Sequence, residues 1–205
     1  MCSSDLADGS GVKQLTFLGK PNLAGITWSP DSRRIAFSAG SSPNFDDFDI
    51  YVMNASGGGL AQLTSDVGPE SHPSWSPDGA RIAFASSRTG ISQIYTMQSD
   101  GTDQTQFSWC VVGCGNPAWS PDGARIAFNS ATSGGIHTSP VSDPSQMPLL
   151  VANGLFPQWA PDGVKVVFIN TLTNEIDTIN ADGSGQTQLT SMASVEMFPS
   201  WGRKQ

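Results

Sequence analysis

The chain has 205 residues, with 22 glycines, 14 prolines and 3 cysteines, and its 10 Lys or Arg against 18 Asp or Glu give a formal net charge of −8. The cations are few and scattered, which excludes the basic footprint of a nucleic-acid binder or of a protein held on anionic lipid. No apolar run approaches the ~20 residues of a membrane-spanning helix, and the N-terminal stretch lacks the charged start and apolar core of a signal peptide.

Met1 to Leu6 fit no repeating pattern and read as foreign to the fold. The first recognisable element is a partial strand at 12–17, around Lys13-Gln14-Leu15-Thr16. A block then recurs: Trp28-Ser29-Pro30-Asp31-Ser32, Trp75-Ser76-Pro77-Asp78-Gly79, Trp119-Ser120-Pro121-Asp122-Gly123 and Trp159-Ala160-Pro161-Asp162-Gly163, with a fifth copy starting at Trp201. The interval of roughly 40–47 residues identifies stacked supersecondary units. Each block is followed by a short apolar run (Arg34-Ile35-Ala36-Phe37 in the first unit), then by a second one (Ile50-Tyr51-Val52-Met53), a Gly-rich turn and a polar alternating run (Ala61-Gln62-Leu63-Thr64). Short β-branched or aromatic segments bounded by Gly, Pro, Asp and Ser predict strands, four per unit. The Ser-Pro-Asp-Gly turn suits a tight hairpin, because proline presets φ at the second position and glycine accepts the left-handed conformation at the end. Ser32 stands where the other turns have glycine, so strain or a different turn is expected there.

Four antiparallel strands per unit make a propeller blade. The predicted fold is therefore an all-β propeller forming one domain over 1–205. Its four complete blades lie near 22–64, 70–108, 114–151 and 154–190, with partial strands at 12–17 and 196–201. Two half-blades at the ends read as a fragment of a larger ring of the six-blade type. The five repeat tryptophans, from Trp28 to Trp201, are expected to fill the inter-blade core.

The combination of Pro-x-Trp-Ser-Pro-Asp-Gly, a basic residue, Ile-Ala-Phe, Ile-Tyr-x-Met, Asp-Gly and Gln-Leu-Thr resembles the TolB-like β-propeller repeat, a relative of the WD repeat. The match runs from about Asp8 to Trp201, and Ser87-Arg88-Thr89-Gly90 is similar to that family's strand-connecting loop. The resemblance implies a toroid whose channel and rim bind partners. In that family the propeller is periplasmic, follows an α/β domain and contacts envelope proteins of the Tol–Pal system. Similar repeats occur in prolyl-oligopeptidase-type peptidases, polysaccharide lyases and sensor ectodomains, so the resemblance fixes the fold more firmly than the role.

Residues that differ between copies are the candidates for function. The loops feeding the innermost strands should ring the channel mouth, and they carry Glu70, Ser71, His72, Asn116, Phe156, Glu196, Met197 and Phe198. His137 sits in a slot held elsewhere by Tyr51, Tyr95 and Asp177, which reads as a strand position. Asp46, Asp47 and Asp49 could offer oxygen ligands, but their spacing is not that of a Ca²⁺ loop. Cys110 and Cys114 bracket three residues and are candidates for a loop disulfide, which would fit an exported protein. No nucleophile elbow, His-Glu-x-x-His or phosphate loop is present, so no catalytic residues, metal or cofactor are expected. The expected function is a non-enzymatic protein-interaction scaffold, periplasmic or extracellular, with a protein or peptide partner and self-association through open terminal blades. The alternative is an accessory propeller of a larger peptidase or lyase, or a sensor ectodomain.

Overall fold

The computed structural model describes residues 3–4, 13–16, 18–20, 22–44, 46–191 and 199. Within them every regular element is a strand. The first blade comprises β3 (Asn22–Trp28), β4 (Arg34–Gly40), β5 (Asp49–Asn54) and β6 (Ala61–Gln62). The second comprises β7 (Glu70–Trp75), β8 (Arg81–Ser86), β9 (Gln93–Gln98) and β10 (Thr105–Gln106). In the third are β11 (Cys114–Trp119), β12 (Arg125–Ser130), β13 (Gly135–Pro140) and β14 (Leu149–Val151). The fourth has β15 (Gly154–Trp159), β16 (Lys165–Asn170), β17 (Glu175–Asn180) and β18 (Thr187–Gln188). Each blade is a four-stranded antiparallel sheet with its strands in chain order, and the four are arranged as a β-propeller. The inner strands pack in succession, β3 on β7, β7 on β11 and β11 on β15.

The repeat explains the core. Phe37, Phe84, Phe128 and Phe168 hold one slot in the second strand of each blade, and all four are fully buried. Three of them face an aromatic ring across the sheet. Phe37 meets Tyr51 at 5.7 Å, Phe84 meets Tyr95 at 5.9 Å, and Phe128 meets His137 at 6.0 Å between ring centroids. His137 is thus a cross-strand packing partner, and its ring nitrogens reach the Met147 carbonyl and the Ser133 hydroxyl, both at 2.8 Å. Burial continues between blades. Trp75 joins Ala36, Ile50 and Val52 of the first blade, and Trp159 joins Ala118, Ala127 and Ile136 of the third.

Two expectations need correction. Trp75, Trp119 and Trp159 lean on the preceding blade, Trp119 only half-buried, and among the described copies the slot is buried only where a four-stranded blade precedes it. Trp75 and Trp159 are buried, whereas Trp28 remains 49% exposed. Trp201 and Phe45 lie outside the described residues. Ser3 and Ser4 are also part of the repeat. Ser3–Ser4 (β1) pairs with Lys13–Gln14 (β2), Ser3 opposite Gln14. The same register sets Tyr51 opposite Gln62, Tyr95 opposite Gln106 and Asp177 opposite Gln188. β1 and β2 are therefore a third and fourth strand of another blade.

The hairpin turns follow the predicted chemistry. Ser32 takes the left-handed conformation, with φ 59°, as Gly79, Gly123 and Gly163 do at 71–72°. In three turns the serine hydroxyl donates to the aspartate two residues on, at 2.6 Å, and accepts the N–H of the strand's first residue at 2.9 Å. The serine hydroxyl and the following backbone N–H hold Asp31, Asp78 and Asp122 below the usual carboxylate range. In the fourth turn Ala160 cannot make these bonds, yet its backbone bonds are kept. Ser120→Ala should therefore leave the fold intact while orphaning the Arg125 N–H. The expected cost is about 1 kcal/mol, read as a lower urea midpoint at unchanged slope.

Candidate functional site

The inner strands converge on a cavity of about 530 Å³ at the centre of the propeller, lined by β3, β7, β11, β15 and Pro199. Each inner strand carries a bulge, where pairing with its neighbour shifts between Ala24 and Thr27, Ser71 and Ser74, Gly115 and Ala118, and Leu155 and Gln158. The first bulge residue is left-handed in all four: Gly25 at φ 58°, His72 at 53°, Asn116 at 53° and Phe156 at 54°. Only glycine adopts this conformation freely. Three larger side chains there carry strain of roughly 1–3 kcal/mol each. A Cβ on Gly25 would lie 2.6 Å from the Cα of His72, so close strand approach demands glycine in the first blade.

The bulges turn His72, Asn116 and Phe156 into one cavity. The His72 and Phe156 rings face each other at 6.4 Å between centroids, tilted by 48°. His72 Nδ1 is 3.1 Å from the Ser71 hydroxyl, and burial lowers the imidazole pKa, which favours the neutral ring. Asn116 donates through Nδ2 to Asn129 Oδ1 at 2.6 Å, while its own buried Oδ1 finds no partner among the described residues. The cavity thus combines apolar walls from Leu23, Pro73, Pro117 and Phe156 with an imidazole held toward its neutral form.

The other expected residues fall elsewhere. Ser71 supports His72 from beside the cavity. Glu70 is not at the mouth at all. It is fully buried, accepts a 2.8 Å hydrogen bond from Ser86 and lies 3.6 Å from Arg88. Glu196, Met197 and Phe198 lie outside the described residues. Gly25, Thr27, Ser74 and Gln158 also line the cavity. The signal for them was their place on the same inner strands, within two residues of the variable slot at 25, 72, 116 and 156.

Cys110 and Cys114 are joined in the structure, with Cα atoms 5.9 Å apart, inside the span a disulfide bridges. Asp47 accepts the backbone N–H groups of Ser41 and Ser42, and Asp49 accepts from Gln62 and faces Lys20 at 3.8 Å. Among the described residues no group of three His, Cys, Asp or Glu is placed to hold a metal ion. No described helix is long and apolar enough to cross a membrane.

The fold recurs in solved structures. TolB from Acinetobacter baumannii superposes with a TM-score of 0.75 at 24% identity, over 91% of this chain and 47% of that one. A putative TolB from Agrobacterium tumefaciens gives 0.66 at 19% identity, over 87% of this chain and 83% of that one. Puromycin hydrolase gives 0.65 at 16%, over 89% of this chain and 30% of that one. This chain thus spans about half of the A. baumannii chain, and identities this low establish shared architecture alone. No curated protein matches the chain. A family model described as the TolB β-propeller domain matches residues 7–205, in agreement with the repeat and the four-stranded blades, and the chain belongs to that family.

Proposed function

We propose that this propeller is a non-enzymatic interaction scaffold that receives a segment of a partner protein in the mouth of its central channel. The observation that carries this reading is the strained bulge. Three non-glycine side chains are held left-handed at one slot of three separate blades and meet at one cavity. Strain kept at a functional site is a recognised signature of pre-organised binding. The neutral His72 ring and Phe156 suit the apolar side chains of an extended segment. The scaffold works in the periplasm or outside the cell, a placement supported by family membership and by the Cys110–Cys114 link. The half-exposed Trp28 supports association with a further blade, its own or a second copy's.

The test uses peptides selected on the wild-type chain from a random display library. His72→Ala combined with Phe156→Ala should weaken their binding at least about tenfold, with an unchanged circular dichroism spectrum. Equal binding to both proteins would contradict the channel reading. The likeness to puromycin hydrolase favours one second reading, an accessory propeller of a larger enzyme. Peptide hydrolysis by the native full-length product, with the channel variant altering which peptides are cut, would support it.

A further inference from the structure

A second surface, separate from the channel, lies at the propeller end where the first and third strands of each blade begin. The loop from Ser108 to Cys114 exposes Trp109, Val111 and Val112, the last two at 75% and 63%. Ile91, also exposed, comes within 3.9 Å of where a Cβ on Gly113 would stand. The loop before β7 exposes Val67 at 90%, and its Gly68 lies against Ser87 and Arg88 in the loop that carries Ile91.

The backbone beneath these side chains is tied down on every side. Gln93 brackets Cys110, accepting from its N–H and donating to its carbonyl, both at 2.8 Å. Ser92 pairs with both backbone groups of Cys114, at 2.8 and 2.7 Å. Ala131 donates to the Gly113 carbonyl at 2.9 Å, Val112 donates to Thr132 Oγ1 at 3.1 Å, and the cysteine link closes the base. A loop this fixed loses little entropy on binding. Its outward residues are apolar for no reason internal to the fold.

The charges around it select a partner. Among the described residues the cations at this end are Lys20 and Arg88. Both are engaged, Lys20 beside Asp49 and over the Tyr51 ring, Arg88 between Asp66 and Glu70 and over the Tyr95 ring. Asp66, next to Val67, stays 42% exposed at its side chain, and Asp46 and Asp47 are exposed on the neighbouring loop. The other described cations, Arg33, Arg34, Arg81, Arg125, Lys165 and Lys13, sit at the opposite end, at the hairpin turns. This end is therefore apolar with an acidic rim.

We infer that the braced Trp109–Val112 loop, together with Ile91 and Val67, docks a partner-protein segment that presents an apolar anchor flanked by lysine or arginine. An anionic membrane is disfavoured by the same acidic rim.

Three probes test this: a fluorescent synthetic peptide alternating leucine with lysine, the same peptide with glutamate for lysine, and phosphatidylcholine vesicles containing phosphatidylglycerol. The lysine peptide should bind and the glutamate peptide and vesicles should not. Val111→Asp with Val112→Asp should weaken the lysine peptide at least about tenfold, although the variant is more acidic. Bulk attraction to a negative protein predicts the reverse, so unchanged or tighter binding by this variant overturns the inference. Vesicle binding lost in the same variant overturns it in favour of a lipid surface. Loss confined to His72→Ala would place the peptide in the channel and overturn it as well.

Discussion

Trp159→Ala should destabilise the chain by about 3–5 kcal/mol, and Trp28→Ala by about 1 kcal/mol or less, although the two hold the same slot of the same repeat. Trp159 is 9% exposed, lies among Ala118, Ala127 and Ile136 of the preceding blade and donates through Nε1 to the Ala118 carbonyl at 3.2 Å. Its removal leaves an inter-blade void and breaks the Nε1 hydrogen bond between blades, and neighbouring sheets cannot collapse to fill the space. Trp28 is half in solvent and has little packing to lose. Trp75 belongs with Trp159, since it is buried and the Arg34 guanidinium sits 4.6 Å from its ring centre. Urea midpoints followed by far-ultraviolet circular dichroism separate the two classes. Equal losses at positions 28 and 159 would show that the tryptophans do not act through the preceding blade.

Glu70→Gln should gain stability over the wild type as pH rises from 5 to 8. Burial pushes the Glu70 carboxyl up to about 7 from 4.5, against the opposing pull of the Ser86 hydroxyl and Arg88 and with further repulsion from Asp49 and Asp66. Its Oε2 is buried without a hydrogen-bond partner among the described residues. A carboxyl with a raised folded pKa contributes stability that is complete below the unfolded value and is lost as pH climbs through the folded one. The loss therefore falls between about pH 4.5 and 7 and amounts to at most about 3 kcal/mol. Glutamine cannot ionise, so the variant lacks this decline. His72 works in the opposite sense: its pKa is lowered, so its contribution is lost as pH falls below its ordinary value. The difference between wild type and Glu70→Gln at each pH isolates the carboxyl. A difference that is flat from pH 5 to 8 would mean that Arg88 and Ser86 fully compensate for burial.

The blade architecture was legible because its causes are local and repeated. Proline, aspartate and glycine set the turn, and Phe37, Phe84, Phe128 and Phe168 mark the buried face in register. Ser32 was readable for the same reason, since the turn needs a left-handed residue whatever its identity. The candidate site was legible only as a location. His72, Asn116 and Phe156 stand out as variable fillings of one slot, but the residue before a proline is expected to be extended, and nothing in the sequence announced left-handed bulges that bring them together. Glu70 misled because position in a loop says little about direction. Its side chain turns between strands toward Ser86 and Arg88, where a carboxylate is seldom placed unpaired. Trp28 misled because an identical motif carries burial only when a four-stranded blade precedes it. Ser3 and Ser4 were invisible as repeat members, since their slots are filled variably in the other copies, by Tyr51, Tyr95 or Asp177 and by Val52, Thr96 or Thr178, and only the pairing with Lys13–Gln14 reveals them.

The most direct measurement is hydrogen exchange of the chain with and without one peptide selected on it. A segment seated across the bulges should slow exchange together in 71–74, 115–118 and 155–158, three stretches far apart in sequence that only the channel unites. Slowing confined to one of these stretches, or to the outer strands, would contradict the channel as the binding site.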